Sequence, residues 1–517
     1  MRYTNPIVKG FYPDPSICEA NGRFYLACSS FQYFPGVPLF ESTDLVNWKQ
    51  IGHALTRKSQ IMLEKVNSSG GVFAPTLRFC NGRFYMVTNN NSTRKNFYIY
   101  TDDIYGEWSE PLTVDQGGID PSLLFDNGHV YFISNEQDSQ GQNCVMQCEI
   151  DIETGRKLTP GRPIWYGSGG RYLESPHMYH IGDNYYLVAA EGGTEYGHMV
   201  TYAKSDNPWG PFLNYPHNPV LTNRNKAPEI IQGIGHGDLV CNTNGDWFIL
   251  TLGFRQIHEW QPYHHLGREV FLTPVFFHKD GWFTAGQDGT TASSYEIAGD
   301  FIQTKQSMYT FENTSPNLDW VFLRHPHLDN YQWDATRLTL HGSAVTLDDA
   351  DSPTFLGIRQ KDFNMTVSVN IQYISGRPGG MPDNTENHAA ASPCEAGLTL
   401  YMDELQHYDI CVTKSPSGYE AVLKLNIGGI KHIQSVIPIP DGTLNGAARL
   451  CVEADNLMYR FYLITESDQE QRIRLGTAYT KYLSSEVAGG FTGVMIGLYA
   501  IGDCHAVFTD YRCEYRQ

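Results

Sequence analysis

The stretch NGRFYLACSS, residues 21–30, returns four times along the chain in altered form. The other copies are NGRFYMVTNN (81–90), NGHVYFIS (127–134), IGDNYYLVAA (181–190) and TNGDWFILTL (243–252). Each copy begins with residues that favour a tight turn and continues into aromatic and β-branched residues, which is the pattern of a hairpin leading into a strand. The aligned aromatic residues are 60, 46, 55 and 62 residues apart, and a repeat of this length built only of strands and turns is typical of a β-propeller blade. Five copies therefore predict a five-bladed β-propeller.

One position in each repeat, 11 or 12 residues before the aligned aromatic residue, carries an ionisable side chain in four of the five copies. These side chains are Asp14, Asp120, Glu174 and His236, whereas the second copy has Ala74. Equivalent positions on the inner strands of a propeller converge on its axis. The repeats therefore predict that three carboxyl groups and a histidine meet in one cavity.

These carboxyl groups have both a structural and a chemical interpretation. An Asp-Pro pair also occurs as a simple turn starter, but Asp14-Pro15-Ser16 and Asp120-Pro121-Ser122 stand at matched repeat positions, which favours a functional role. Carboxyl groups crowded around one axis repel each other, which raises the pKa of at least one of them and keeps it protonated near neutral pH. An acid beside a base is what the cleavage of a glycosidic bond requires.

The bulk composition narrows the class of protein. A chain of 517 residues exceeds what one core supports, so two domains are expected. The net charge of −19 argues against nucleic acid or an anionic membrane as a partner. The sequence shows no apolar stretch of signal-peptide or membrane-spanning length, and its 11 scattered cysteines fit reduced thiols, so a cytoplasmic location is expected. Cys144 and Cys148 lack the further ligands of a zinc site, and no structural metal is predicted.

The second half of the chain has a different organisation. The segment Gly286–Asp300 is rich in Gly, Thr, Ser and Asp and is interpreted as a connector. We therefore expect the propeller in residues 1–300 and a second domain in residues 301–517. Many short predicted strands without the blade repeat indicate a β-sandwich there. Arg377–Cys394 is predicted to be a surface loop.

The motifs, taken together, resemble glycoside hydrolase family 43, in particular its two-domain β-xylosidases and α-L-arabinofuranosidases. The resemblance covers nearly the whole chain, and the C-terminal half is similar to the concanavalin-like β-sandwich appended to those enzymes. It is carried by NPIVKGFYPDPS, SSFQYFPGVPLFESTDLVNW, SSGGVFAPTLRF, GGIDPSLLFD, YLESPHMY, GIGHGDLV and HHLGREVFL in the first half and by WVFLRHPHLDNY and SPTFLGIRQKDF in the second.

The resemblance implies an inverting hydrolysis by single displacement. In it Asp14 is the general base that activates water, and Glu174 is the general acid that protonates the leaving oxygen. Asp120 orients Glu174 and holds up its pKa. The carboxyl groups of Asp14 and Glu174 should then lie roughly 6.5–9.5 Å apart, leaving room for a water molecule.

The resemblance also suggests residues that bind substrate, each with a structural alternative. Arg268 matches an arginine that contacts sugar hydroxyls, or it forms an interblade salt bridge. His236 matches an axial histidine that in some relatives approaches a cation, and a Ca²⁺ ion near the axis is therefore left open. No cofactor is expected to be required. Phe31 walls the pocket, Phe73 stands where many relatives have Trp, and Phe491 either narrows the mouth or packs in the core.

The predicted function is that of an exo-glycosidase releasing terminal xylose, arabinofuranose or both from xylo-oligosaccharides or arabinoxylan fragments. The alternatives are an enzyme that is mainly an α-L-arabinofuranosidase and, from another class, a carbohydrate-binding propeller without catalysis. An endo-arabinanase is a more distant alternative. The expected partner is an oligosaccharide, with neither nucleic acid nor membrane, and a homo-oligomer is left open.

Overall fold

The structure is a computed structural model that describes residues 1–311, 318–334, 336–375, 394–440, 444, 448–466 and 470–516. The predicted loop Arg377–Cys394 lies outside the described residues except for Cys394. In the described part of the chain, no helix combines the length and apolar character needed to cross a membrane. None of the eleven cysteines, all of which are described, forms a disulfide.

The first 311 residues, described without a gap, form five antiparallel sheets of four strands each. From the inner to the outer strand the sheets are β2-β3-β5-β6, β7 to β10, β11 to β14, β15 to β18 and β19 to β22. The prediction of a five-bladed propeller is therefore confirmed. The strands are β1 (Arg2–Thr4), β2 (Ser16–Ala20), β3 (Arg23–Ala27), β4 (Tyr33–Phe34), β5 (Gly36–Ser42), β6 (Lys49–Leu55), β7 (Thr76–Cys80), β8 (Arg83–Asn90), β9 (Lys95–Thr101), β10 (Leu112–Val114), β11 (Ile119–Asp126), β12 (His129–Gln137), β13 (Asn143–Glu149), β14 (Arg162–Trp165), β15 (Glu174–Ile181), β16 (Asn184–Glu191), β17 (Met199–Ser205), β18 (Leu213–Asn214), β19 (Ile231–Cys241), β20 (Trp247–Arg255), β21 (Glu269–Phe277), β22 (Phe283–Ala285) and β23 (Ser294–Glu296).

The repeated turn is the hairpin between the first two strands of a blade. In the first copy Asn21 and Gly22 join β2 to β3 with φ of 54° and 76°. Two successive positive φ values are what a two-residue hairpin turn requires, and Asn-Gly supplies them at low cost. The same pair occupies the equivalent turns of the next two blades. The repeat detected in the sequence is thus the local signal that places each inner strand.

The ring of blades closes through the start of the chain. β1 pairs antiparallel with β23, and Val8 forms an isolated bridge with Val270 on β21 of the fifth blade. The amide of Tyr12 donates to the carbonyl of Arg268 over 3.0 Å. The segment Gly286–Asp300, predicted to be a connector, therefore contributes a strand to this closure. Residues 1–12 are held against the fifth blade directly before Asp14.

A buried carboxylate joins the inner strands at the axis. Asp238 on β19 accepts hydrogen bonds from the Ser16 hydroxyl (2.6 Å) and the Ile17 amide (3.0 Å) of the first blade. It also pairs with Arg78 of the second blade at 2.9 and 3.2 Å and accepts a hydrogen bond from the Tyr179 hydroxyl of the fourth blade. Burial by itself raises the pKa of Asp238, but the charges of Arg78 and His177 and the hydrogen bonds from Arg78 and Ser16 together outweigh it, so the pKa lies below its ordinary value. Four blades are thus joined by one ionised group.

The C-terminal part is a sandwich of two antiparallel sheets. Among the described residues, one sheet has the order β26-β27-β38-β29-β34-β35-β36 with β24 paired to β38, and the other has the order β28-β37-β30-β31-β32-β33. Their facing side chains form one continuous apolar core, as expected for packed sheets. The strands are β24 (Met308–Thr310), β25 (Phe322–Leu323), β26 (Tyr331–Trp333), β27 (Arg337–His341), β28 (Thr354–Arg359), β29 (Met365–Ser375), β30 (Glu395–Asp403), β31 (Gln406–Ser415), β32 (Gly418–Ile427), β33 (Ile430–Ile439), β34 (Ala448–Ala454), β35 (Met458–Glu466), β36 (Glu470–Tyr479), β37 (Met495–Ile501) and β38 (Cys504–Tyr515), with short helical turns at Leu328–Asn330, Thr480–Leu483 and Ser485–Ala488.

The two parts share a buried interface. β25 of the second part pairs with β4 of the first. The fully buried Arg359 donates to the carbonyl of Phe11 over 2.7 Å, and its guanidinium lies 4.4 Å from the ring centre of Tyr12. Arg255 bridges Glu269 of the propeller and Asp362 of the sandwich. The interface therefore fixes the segment that leads into Asp14.

We expect the substitution Asp238→Asn to destabilise the propeller strongly. It leaves the buried Arg78 without its partner, and removing one member of a buried ion pair costs about 3–5 kcal/mol. Thermal unfolding followed by circular dichroism measures the effect. The matched control is Asp102→Asn, because Asp102 pairs with Arg83 at 2.7 Å on the exposed surface. Equal melting temperatures for the two variants would contradict the role given to the axial carboxylate.

Candidate active site

Three predicted site residues share an unusual backbone conformation. Asp14, Asp120 and His236 have φ of 55°, 51° and 49°, in the left-handed region that non-glycine residues rarely adopt. In each blade this residue directly precedes the residues that enter the axial packing. Such a conformation costs of order 1–3 kcal/mol and persists when its surroundings over-determine it. The repeated strain marks the same functional position in three blades.

In the fourth blade the position equivalent to Asp14, Asp120 and His236 lies one residue after Glu174. In the fourth blade the left-handed conformation belongs to Ser175, with φ of 57°. The pairing of β15 with β16 shifts register between Glu174 and His177, which is a β-bulge, and the third blade has the same bulge between Ile119 and Ser122. Superposing the two bulges makes Ser175 the equivalent of Asp120, so Glu174 reaches the site from the residue before the equivalent position. The prediction that it occupies the same repeat position is therefore wrong, although its carboxyl group does face the others.

Asp14 is a buried carboxylate held by donors. It accepts hydrogen bonds from the Ser29 hydroxyl and from Arg268 Nη1, the latter over 3.0 Å, and His236 Nδ1 lies 3.6 Å from its Oδ1. Burial by itself raises the pKa of Asp14. The positive charge of Arg268 and the neighbouring donors outweigh burial, so the pKa lies below its ordinary value. Asp14 is therefore ionised at neutral pH.

Asp120 has the opposite character although it is buried nearby. Its Oδ2 accepts a hydrogen bond from the Ser175 amide over 3.1 Å. Burial, followed by the negative charges of Glu174 and Asp14, raises the pKa of Asp120 well above its ordinary value. The surroundings of Asp120 therefore act on its carboxyl group in the opposite direction to those of Asp14, and its bond to Ser175 fixes the residue next to Glu174.

Glu174 is the more accessible of the three carboxyl groups. Its side chain is 19% exposed, and its Oε1 lies 3.2 Å from Nε2 of the fully buried His198. A carboxyl group at the rim can meet a ligand from solvent, whereas Asp14 and Asp120 lie deeper. The three groups thus differ in depth as well as in charge.

Arg268 ties the carboxylate to the rim of the site. One guanidinium nitrogen donates to both Asp14 and the Thr194 hydroxyl over 3.0 Å, and the other donates to the carbonyl of Phe491 over 3.2 Å. Its Nε is buried without a hydrogen-bond partner. The predicted alternative of an interblade salt bridge is thus realised in part, because the pair with Asp14 joins the fifth blade to the entry of the first.

An aromatic cluster forms one wall. Phe31 stacks on Phe491 with ring centres 5.9 Å apart and meets Phe73 edge-on at 5.3 Å. Phe491 comes from the sandwich, is 38% exposed, and has its amide held by the Ser69 hydroxyl over 2.8 Å. Phe491 therefore lies at the rim rather than in the sandwich core. The two domains build this wall together.

His236 is also a candidate ligand for a cation. Burial lowers its pKa, which favours the neutral ring. Ca²⁺ takes six to eight oxygen ligands, but the carboxylate beside His236 belongs to Asp14 and already pairs with Arg268. Within the described ranges, no group of three or more His, Cys, Asp or Glu side chains could hold a metal ion. No chemical step is therefore assigned to a cation.

Three contacting residues had not been predicted from the sequence. Ser29 bonds to Asp14, Thr194 to Arg268, and His198 approaches Glu174. Ser29 ends the first repeat, so its proximity to Asp14 could have been read from the β2–β3 hairpin. Thr194 and His198 lie in a loop outside the repeat, and no sequence signal locates them.

A five-bladed propeller with three carboxyl groups in different surroundings and an aromatic wall at its axis is the arrangement expected of a glycoside hydrolase. Residues 3–283 match the family model for glycosyl hydrolases family 43. Residues 308–513 match the model for the β-xylosidase C-terminal concanavalin A-like domain. The chain belongs to glycoside hydrolase family 43, as the motifs predicted, and the predicted concanavalin-like sandwich is confirmed.

Similar proteins match along the full length. The chain is 37% identical to a non-reducing end α-L-arabinofuranosidase of Bacteroides ovatus, covering 99% of this chain and 95% of that protein. It is 33% identical to a xylosidase/arabinosidase of Butyrivibrio fibrisolvens, covering 99% and 98%. Among solved structures, the xylan β-1,4-xylosidase of Bacillus halodurans has a TM-score of 0.89 at 26% identity, covering 99% of this chain and 100% of that chain.

Proposed function

We propose that the protein is an inverting exo-glycosidase that releases terminal pentoses, xylose or arabinofuranose, from oligosaccharides. The observation that carries the proposal is the placing of three carboxyl groups in different surroundings at the axis, where Asp14 is paired with Arg268, Asp120 is buried and bonded to the Ser175 amide, and Glu174 is partly exposed. Relatives named for xylosidase and arabinofuranosidase activities support the pentose specificity. An enzyme that is mainly an α-L-arabinofuranosidase is the second candidate, favoured by the 37% identical relative.

In the proposed reaction the three carboxyl groups have separate roles. Asp14 takes a proton from a water molecule while the oxygen of that water bonds to the anomeric carbon. The bond from that carbon to the glycosidic oxygen breaks, its electron pair goes to the oxygen, and Glu174 donates the proton that neutralises it. Asp120, which accepts a hydrogen bond from the Ser175 amide, orients the segment that carries Glu174. Proton exchange with solvent restores both groups.

The aromatic wall supports an exo mode of action. Phe31 and Phe73 offer apolar faces to a sugar ring. Phe491 lies across the same edge of the site and is held there by Ser69 and Arg268. A site narrowed on one side favours a terminal residue over the middle of a long chain. Arg268, with donors shared between Asp14 and the rim, is the proposed ligand for sugar hydroxyls.

No cofactor is required in this mechanism, because the chain supplies acid, base and water-binding groups. Calcium binding at the axis and a cytoplasmic location stay predictions. Activity measured before and after treatment with a chelator tests the first, and cell fractionation tests the second.

The anomer released first tests the proposed stereochemistry. Proton NMR of a β-xyloside hydrolysate should show α-xylose before mutarotation, because water attacks the face opposite the leaving group. Initial β-xylose would overturn the inverting assignment. A failure to hydrolyse both nitrophenyl β-xyloside and nitrophenyl α-arabinofuranoside would overturn the pentose specificity.

Substitutions of the two reacting groups should differ in their dependence on the leaving group. Glu174→Ala should lower activity on xylobiose by roughly 10²–10⁴-fold. It should affect a dinitrophenyl xyloside far less, because that leaving group needs no proton. Asp14→Ala should be nearly inactive on both substrates, because water activation is always needed. Comparison of kcat/KM for the two substrates measures this. Equal losses for Glu174→Ala on both would remove Glu174 as the proton donor.

Ser29→Ala should move the acidic limb of the pH–rate profile upward. Loss of the hydroxyl removes a hydrogen bond that lowers the pKa of Asp14, so the carboxylate protonates at higher pH. A hydrogen bond to a charged group corresponds to a shift of about one pH unit. The matched control is Ser30→Ala, since the neighbouring Ser30 hydroxyl accepts from the Val37 amide instead. A limb unmoved in Ser29→Ala, or moved equally in Ser30→Ala, would contradict the role of Asp14.

A further inference from the structure

His198 is buried at the start of the fourth blade's third strand and faces Glu174. Its Nε2 lies 3.2 Å from Glu174 Oε1, and its Nδ1 lies 3.2 Å from the carbonyl oxygen of Gly233. The backbone of the histidine is also held, because the Thr222 hydroxyl donates to its carbonyl over 2.8 Å. The imidazole thus lies between the fifth blade and the carboxyl group proposed to be the acid.

The contact with Gly233 determines where the ring carries its hydrogen. A carbonyl oxygen can only accept, so Nδ1 of His198 must be the donor. Nε2 is then left facing Glu174 Oε1 at 3.2 Å, buried and without a hydrogen-bond partner of good geometry among the described residues. A buried polar atom without a partner is costly, so a small movement of the Glu174 side chain that completes this contact is favoured.

A glycine makes room for the ring in this position. A Cβ added at Gly235 would lie 2.3 Å from Nδ1 and 2.4 Å from Cε1 of His198, far inside van der Waals contact. Position 235, next to His236, therefore requires glycine for His198 of the fourth blade to pack against it. The orientation of the imidazole is set by this packing as well as by Gly233.

We propose that His198 is a positioning residue for Glu174. Its Nε2, close to Oε1 and without another partner in the described part of the chain, fixes the orientation in which the carboxyl group donates its proton to the leaving oxygen, and solvent afterwards returns a proton to Glu174. This inference rests on the proposed function, in which Glu174 is the general acid. Nothing in the repeats or motifs of the sequence assigns a role to His198.

Two substitutions separate this role from a structural one. In His198→Asn the amide stands where Nδ1 stood and keeps the bond to Gly233, but nothing reaches Glu174. In His198→Gln the longer amide reaches the position of Nε2. We expect His198→Asn to lose about tenfold or more in kcat/KM on a pentose disaccharide, a part of what general acid catalysis supplies. On the dinitrophenyl pentoside it should lose less than about threefold, and His198→Gln should recover most of the lost activity.

A purely structural histidine predicts the reverse. His198→Asn, which keeps the Gly233 bond, would then be the milder variant, and both substrates would lose activity equally; that outcome overturns the proposal. Gly235→Ala, which displaces the ring, should reproduce the dependence on the leaving group. Gly237→Ala is its control, because the added Cβ would crowd the side chain of Ile249 (2.5 and 2.9 Å) and lie 3.4 Å from Thr251, with His198 not among its nearest neighbours. If the wild-type protein hydrolyses no pentoside at all, the proposed function fails instead.

Discussion

The buried carboxylate of Asp238 is the interaction on which the arrangement of the site depends. It accepts hydrogen bonds from three other blades and so fixes the spacing of inner strands that are far apart in the chain. Ser16, one of its donors, follows Asp14 by two residues, and Asp238 itself follows His236 by two. Because an unpaired charge at this depth is costly, the inner strands keep one relative position. The site residues, which lie in these strands or next to them in the chain, are therefore also held in one relative position.

Asp14 and Asp120 carry the same kind of side chain, but their surroundings shift the pKa of the two carboxyl groups in opposite directions. Asp14 has Arg268 and a hydroxyl beside it, whereas Asp120 has an amide donor, burial and two negative neighbours. The first environment favours the charged form and the second the neutral form. The sandwich completes the site from outside the ring of blades, since Phe491 stacks on Phe31 while its carbonyl accepts from Arg268. Glycoside hydrolysis needs both features, a divided set of carboxyl groups and a wall for the sugar.

The sequence was sufficient for the blades and for the residues at the axis, because repeats report local structure and propeller symmetry converts it into position. The sequence was not sufficient for the register of strand pairing near Glu174. Glu174 stands 12 residues before its aligned aromatic and Asp120 stands 11 before its own, and only the pairing of the strands shows that Ser175, not Glu174, is the equivalent of Asp120. Contacts from outside the repeat, such as Thr194 and His198, depend on how a loop folds back over the blades. The opposite pKa shifts of Asp14 and Asp120 likewise required their neighbours to be known.

A crystal structure of the Glu174→Ala variant with a bound pentose disaccharide tests the central claim most directly. The account predicts that the scissile bond lies between Asp14 and the position of residue 174, with a water molecule between Asp14 and the anomeric carbon. In the unsubstituted protein the two carboxyl groups should be roughly 6.5–9.5 Å apart. A disaccharide bound instead in the sandwich cavity lined by His407 and Asp409, or one that leaves no space for water beside Asp14, would contradict it.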